Sequence, residues 1–300
     1  MVDRASTFAD PEIIELLTNN FIPVAFDQWY QRHQKDTAGR FYQKIAAQGP
    51  RDDMNQTTQG FYLADSDGRL LEFNNNRGPE RIKSVIKRAL KDWQAPASTP
   101  LVKDNTPLDL PDKKPKRSVV VQVNTRVIEG YQAANDSYQE IMQFAIGRDN
   151  LWIFESEIRQ LGAGIFPNSL AEKIVRFHAV DNTRGEPPMW STSEIKSLEI
   201  MLHQSGKVSG QFAMATADGE RTCAGDILGY VALEAGRLTR FDLVLLSDFK
   251  GQGRYTPGAP AGMFPLAVAL RIADPGQPAT LVRPQALKAF GPGYLHLGSQ

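Results

Sequence analysis

The densest packet of reactive side chains in this sequence runs from His178 to Trp190. It holds His178, Asp181, Arg184, Glu186 and Trp190, on a backbone that Pro187 and Pro188 stiffen. An imidazole titrates near neutrality and a guanidinium forks onto a carboxylate or another anion. Together they have the parts for anion recognition or general base work. The same residues also suit a long loop folded over its own domain, with Arg184 tied to Asp181 or Glu186. Arg240 and Asp242 are a second candidate, because alternation puts them on one strand face with Val244 and Leu246. Charges directed at an apolar face need each other or a ligand, since an unpaired buried ion is costly. They would either pair or line a barrel mouth, where barrel ligands bind. Glu155, just after the apolar run Leu151-Trp152-Ile153-Phe154, is the third candidate. Cys223 opens a strand with no histidine near it in sequence, and reads as a buried, inert thiol.

Other signals are exclusions. No Walker loop, GxGxxG, HExxH or GxSxG elbow occurs, so no cofactor is expected. The four histidines, at 33, 178, 203 and 296, are too scattered for local metal-ligand spacing. His203 shares a polar strand parity with Glu199 and is expected to face solvent. Asp65-Ser66-Asp67-Gly68 starts like a calcium loop, but Asn76 stands where the bidentate acid belongs, so a turn is expected. One cysteine excludes internal disulfides, dithiol exchange and thiolate-rich metal sites. Lysine plus arginine (34) balances aspartate plus glutamate (34), which argues against a dedicated nucleic-acid binder. No apolar run approaches the length of a bilayer-spanning helix. Met1-Val2-Asp3-Arg4 has no apolar stretch, so no secretory leader is expected; a cytoplasmic protein and the mature form of an exported one both fit.

The elements that must position these residues read as α+β in two domains. Residues 95–117, with Pro96, Pro100, Pro107, Pro111 and Pro115, form an extended linker between a domain at 1–94 and a larger one at 118–300. The larger half is β-rich, with strands at Val119–Val123, Leu198–Leu202, Gly210–Thr216, Cys223–Leu233, Leu238–Leu246 and Phe264–Ile272. Gly turns between them suggest a barrel or a two-sheet sandwich. Ser137–Ile146 and the stretch after Glu155 have helical spacing.

In the smaller half, Asp10 caps a helix that Pro11 opens, and Phe21–Phe26 reads as a short buried strand. A helical segment containing Phe41, Tyr42 and Ile45 follows, then a strand from Gly60 to Ala64. Asp67-Gly68 turns a hairpin into Leu70, Leu71 and Phe73. Pro79 starts an amphipathic helix with Ile82, Val85, Ile86, Ala89, Leu90 and Trp93 on one stripe. Ala9–Leu17 with Phe21–Asp27, and the Tyr62–Leu70 hairpin, resemble a thioredoxin-like domain over residues 6 to 93. The resemblance implies a thioredoxin-like α/β fold. It also implies a Cys-x-x-Cys pair around Met1 to Thr7 and a cis-proline near Thr57-Thr58-Gln59, and this sequence has neither. Disulfide exchange needs a low-pKa thiolate and a second, resolving sulfur, so the expected role is docking to a protein partner. The whole reads as a non-redox binding or docking protein, with a small anionic ligand expected in the C-terminal domain. The alternative is an enzyme using His178, Asp181, Arg184 and Glu186, which requires those side chains to converge around a cavity.

Overall fold

The computed structural model describes residues 7–76, 78–93, 114–277, 280 and 282–297. The chain divides into two compact units, one within Asp3–Pro111 and the other within Asp112–Gln300. Most of the proline-rich stretch, residues 94–113, lies outside the described residues. Both helices and strands are present, giving a mixed α+β chain.

The N-terminal unit contains α1 (Pro11–Asn20), α2 (Gln28–Gln31), α3 (Thr37–Ala46), the hairpin β1 (Phe61–Ala64) and β2 (Leu70–Asn74), and α4 (Pro79–Asp92). Asp10 accepts hydrogen bonds from the N–H groups of Glu12 and Ile13 at 3.0 and 3.1 Å, the capping its sequence position implies. The core is Ile13, Leu63, Ile82, Val85, Ile86 and Ala89. Two expectations are corrected. Phe21–Phe26 joins no strand ladder, and Ile22 is 90% exposed, because an apolar run becomes a strand only where a neighbour accepts its backbone. Trp93 lies past the end of α4 and is exposed.

The C-terminal unit contains β3 (Val119–Val127), α5 (Ser137–Gln143), β4 (Gly147–Ile153), α6 (Glu155–Gly162), α7 (Asn168–His178), five further strands and two short terminal helices. The strands are β5 (Ile195–Leu202), β6 (Lys207–Ala215), β7 (Thr222–Glu234), β8 (Arg237–Lys250) and β9 (Met263–Ile272); the helices are α8 (Gln285–Phe290) and α9 (Pro292–His296). All seven strands form one antiparallel sheet in the order β4-β3-β9-β8-β7-β6-β5. Strands β5 to β9 are sequential neighbours, as their short turns require. At the β7–β8 turn, Ala235 and Gly236 both have positive φ (49° and 74°), which fits a two-residue turn matching strand twist.

The sheet does not close, since β4 and β5 are its two edges. The expected barrel or sandwich is therefore one open sheet, with helices supplying the second layer. Its inner face, including Val121, Leu151, Phe212, Ile227, Phe241, Leu243, Leu245 and Val268, forms one core with Ile158 and Leu161 of α6 and with Leu170, Ala171, Ile174 and Val175 of α7. Helix layering follows from chain order, because α6 and α7 lie between β4 at one edge and β5 at the other.

Candidate functional site

The His178–Trp190 packet does not converge on a cavity. Arg184 and Asp181 do meet, with Nη1 2.6 Å from Oδ2, and both are almost fully buried. The same guanidinium donates to the Tyr131 hydroxyl at 2.7 Å and to the carbonyl oxygens of Thr256 and Pro257. Asp181 Oδ1 accepts from the Thr183 N–H and hydroxyl. The fork therefore ties the loop to the segment before β9. Glu186 turns away to pair with Lys288 of α8 at 2.9 Å, more than half exposed. Trp190 is fully buried; its indole donates to Ala179 O at 2.8 Å, and the Arg221 guanidinium lies 3.9 Å from the ring centroid. Arg221 in turn donates to the carbonyls of Pro188 and Met189. The gap beside Asp181, Pro187, Pro188 and Arg221 leaves no space for a water molecule.

His178, the last residue of α7, faces a different acid. Its Nδ1 lies 3.5 Å from Asp149 Oδ2 on β4, and both side chains are buried. Burial pushes the Asp149 carboxyl up to about 7, against N–H donation from Gln285 and Asn150. Burial, helped by the nearby Lys173 charge, pushes the His178 imidazole down to about 3. Beside them lies a fully buried ion pair, Lys173 Nζ to Glu157 Oε2 at 2.7 Å. Glu157 also accepts from the Phe154 N–H and the Ser169 hydroxyl, and Lys173 lies 3.9 Å from the centroid of the Phe154 ring. Burial lowers the Lys173 ammonium, while Glu157 raises it. Lys173 also donates to Trp152 O at 2.8 Å, and the Tyr294 hydroxyl of α9 accepts from Trp152 N at 3.1 Å. The free backbone groups of Trp152, on the edge strand β4, are thus both satisfied by side chains, which protects that edge from pairing. Sequence reading missed Asp149, Glu157, Lys173 and Tyr294. The available signal was Lys173 itself, set on the apolar stripe of Leu170, Ile174 and Phe177.

Arg240 and Asp242 pair with each other at 2.7 Å, both about half exposed, so their apolar face is the outer one and not a barrel mouth. Val244 and Leu246 on the same face are 48% and 56% exposed. Across the strands, Leu228 lies opposite Val244, and Val244 opposite Ala269. Asn124, Leu228, Tyr230, Asp242, Val244 and Arg271 help to line an open depression of about 330 Å³ there. Arg271 has no ion pair among the described residues, whereas Asp242 is neutralised by Arg240. The depression therefore carries one free positive charge at the rim of an apolar floor. Glu155 sits at the start of α6 and binds Arg117 and Arg159 at 3.0 and 3.3 Å, away from the other candidates.

Among the described residues no three histidine, cysteine or acidic side chains are grouped to hold a metal ion, and no helix is long and apolar enough to cross a membrane. No family model, curated protein or solved structure matches this chain. Fold and site together define a mixed α+β chain whose C-terminal unit is an open, helix-backed antiparallel sheet, with an outer face that sets Leu228, Val244 and Leu246 among charged and polar side chains.

Proposed function

We propose that the chain is a non-redox binding protein and that its C-terminal unit takes a small amphipathic carboxylate on the outer face of the seven-stranded sheet. The observation that carries this reading is the depression of about 330 Å³ with Arg271 at its rim. Its volume is at the low end of those that hold small ligands, and its lining has their usual character: apolar floor, few polar groups. Leu228, Val244 and Ala269 would take a hydrocarbon body. Arg271 and the Asn124 amide would take the anionic head, with a guanidinium–carboxylate bond fixing orientation. The N-terminal unit, in its likeness to thioredoxin-like domains without their cysteine pair, is the docking module for a protein partner. The catalytic alternative has less support, because Arg184, Asp181 and Trp190 already have internal partners and His178 faces Asp149 instead of the loop acids.

The test is a ¹⁵N-resolved titration with octanoate and, separately, octanol. Saturable shifts confined to β3, β7, β8 and β9 are expected with octanoate, with weaker shifts from octanol. Arg271→Ala should remove the difference between the two. Equal responses to both compounds in the natural protein, or shifts that map to other elements, would refute the proposal.

A further inference from the structure

The two edges of the seven-stranded sheet are treated differently. At β4, side chains from α7 and α9 occupy the outward backbone groups of Trp152. At β5 nothing comparable is present among the described residues. The alternation of hydrogen bonds shows which groups are left over. His203 N donates to Lys207 O at 2.8 Å, so His203 and the residues two and four before it, Met201 and Glu199, direct their amides and carbonyls toward β6. The amides and carbonyls of Leu198, Ile200 and Leu202 therefore point away from the sheet. These three residues are only partly exposed and form no backbone bond outside their pairing with β6. An edge of this kind is a template for another strand.

We propose that β5 pairs antiparallel with β5 of a second copy of this chain about a two-fold axis, joining two seven-stranded sheets. An axis perpendicular to the sheet keeps each residue on its own face, so it can pass through Met201 opposite Met201 of the second copy. Ile200 then meets Leu202 of the second copy as a hydrogen-bonded pair, using the backbone groups that are free. On the outer face, Glu199 comes opposite His203 of the second copy, with Lys207 one strand further in. In the single chain Glu199 has no ion pair among the described residues. The register thus brings the Glu199 carboxylate toward the imidazole of His203, whose Nε2 bonds the Ser209 hydroxyl at 2.8 Å, and toward the Lys207 ammonium behind it. The same register carries the outer row of Met201, Ser209, Leu228, Val244 and Ala269 continuously across the axis. Met201, 61% exposed in the single chain, would be covered by its own counterpart. A second copy is thus the occupant that the edge chemistry and the side-chain register both fit.

A single strand pairing falls short of the ~1,000 Å² that a stable specific interface buries, so a reversible dimer is expected. Sedimentation equilibrium of the full chain over roughly 5 to 500 µM should show the average mass rising toward twice 33.3 kDa. Ile200→Pro removes an outward amide, a change edge strands accept, and should leave a monomer with an unchanged circular dichroism spectrum. Glu199→Lys should weaken association about fivefold, and Glu199→Lys with His203→Glu should restore it. The charge pair provides a second test if the proline variant does not fold. A natural chain that stays monomeric throughout, or a dimer unaffected by both Ile200→Pro and Glu199→Lys, would overturn the proposal.

Discussion

Replacing either partner of the Asp149–His178 pair should give stability profiles of opposite slope. In the unfolded chain the two groups titrate at their ordinary values, 3.8 and 6.5, so between those values the pair holds one proton, on the imidazole. In the folded protein, burial pushes Asp149 up to about 7 and His178 down to about 3, so over the same range the pair again holds one proton. It does not matter which atom carries it, because linkage depends only on the count. The pair therefore contributes no slope to stability between pH 4 and 6.5. In Asp149→Asn only His178 titrates; the unfolded state binds one proton more, and stability rises with pH through this window. In His178→Phe only Asp149 titrates; the folded state binds one proton more, and stability falls as pH rises. Each slope approaches ~1.4 kcal/mol per pH unit, or about 3 kcal/mol across the window, with opposite signs. Subtracting the natural protein cancels the contributions of other groups. The assay is urea unfolding at a series of pH values, followed by the indole signals of Trp152 and Trp190, which report the C-terminal unit. Parallel profiles for all three proteins, or slopes of the same sign in both variants, would show that the two groups are not held neutral by burial and would refute the reasoning.

The buried Glu157–Lys173 pair predicts strong non-additivity. Lys173→Met alone leaves an unpaired buried carboxylate and should cost about 3–5 kcal/mol, whereas Lys173→Met with Glu157→Gln should recover most of that, as read by thermal or urea unfolding. Cys223 is fully buried, and burial pushes its thiol up to about 12, so it should react with a thiol-specific reagent only after unfolding. Rapid modification of the native protein would contradict that placement.

Much of the fold was legible because its signals are local. Asp67-Gly68, Asp218-Gly219 and Gly236 mark turns that the structure makes, each glycine having positive φ. The spacing of Phe241, Leu243 and Leu245 puts them together on one face of β8, and the assembled sheet buries that face. What failed depended on distant partners. Phe21–Phe26 has strand composition but no neighbouring strand to pair with among the described residues. Arg240 and Asp242 were placed on the correct face with Val244 and Leu246, but nothing in the segment says whether that face meets a core or solvent. Helix α7 was missed because Glu172, Lys173, Arg176 and His178 make it look polar. Two of these, Lys173 and His178, lie against Glu157 on α6 and Asp149 on β4, which only the assembled fold brings within reach.

The distribution of satisfied polar groups points toward the part of the molecule available for partners. On the helix side of the sheet, Lys173, Glu157, Arg184 and Asp181 each have a close counter-charge, and their bonds terminate β4 or fasten the 178–190 loop. A ligand entering there would have to replace charge-assisted bonds that already exist, and the gap beside Asp181 and Arg221 does not admit even a water molecule. On the outer face no such replacement is required. Arg271 and Glu199 have no counter-charge among the described residues, and Leu228, Val244 and Leu246 remain about half exposed. Binding gains most where desolvation removes apolar surface and supplies a missing counter-charge, and both conditions meet on the outer side of β5 to β9 and along the β5 edge.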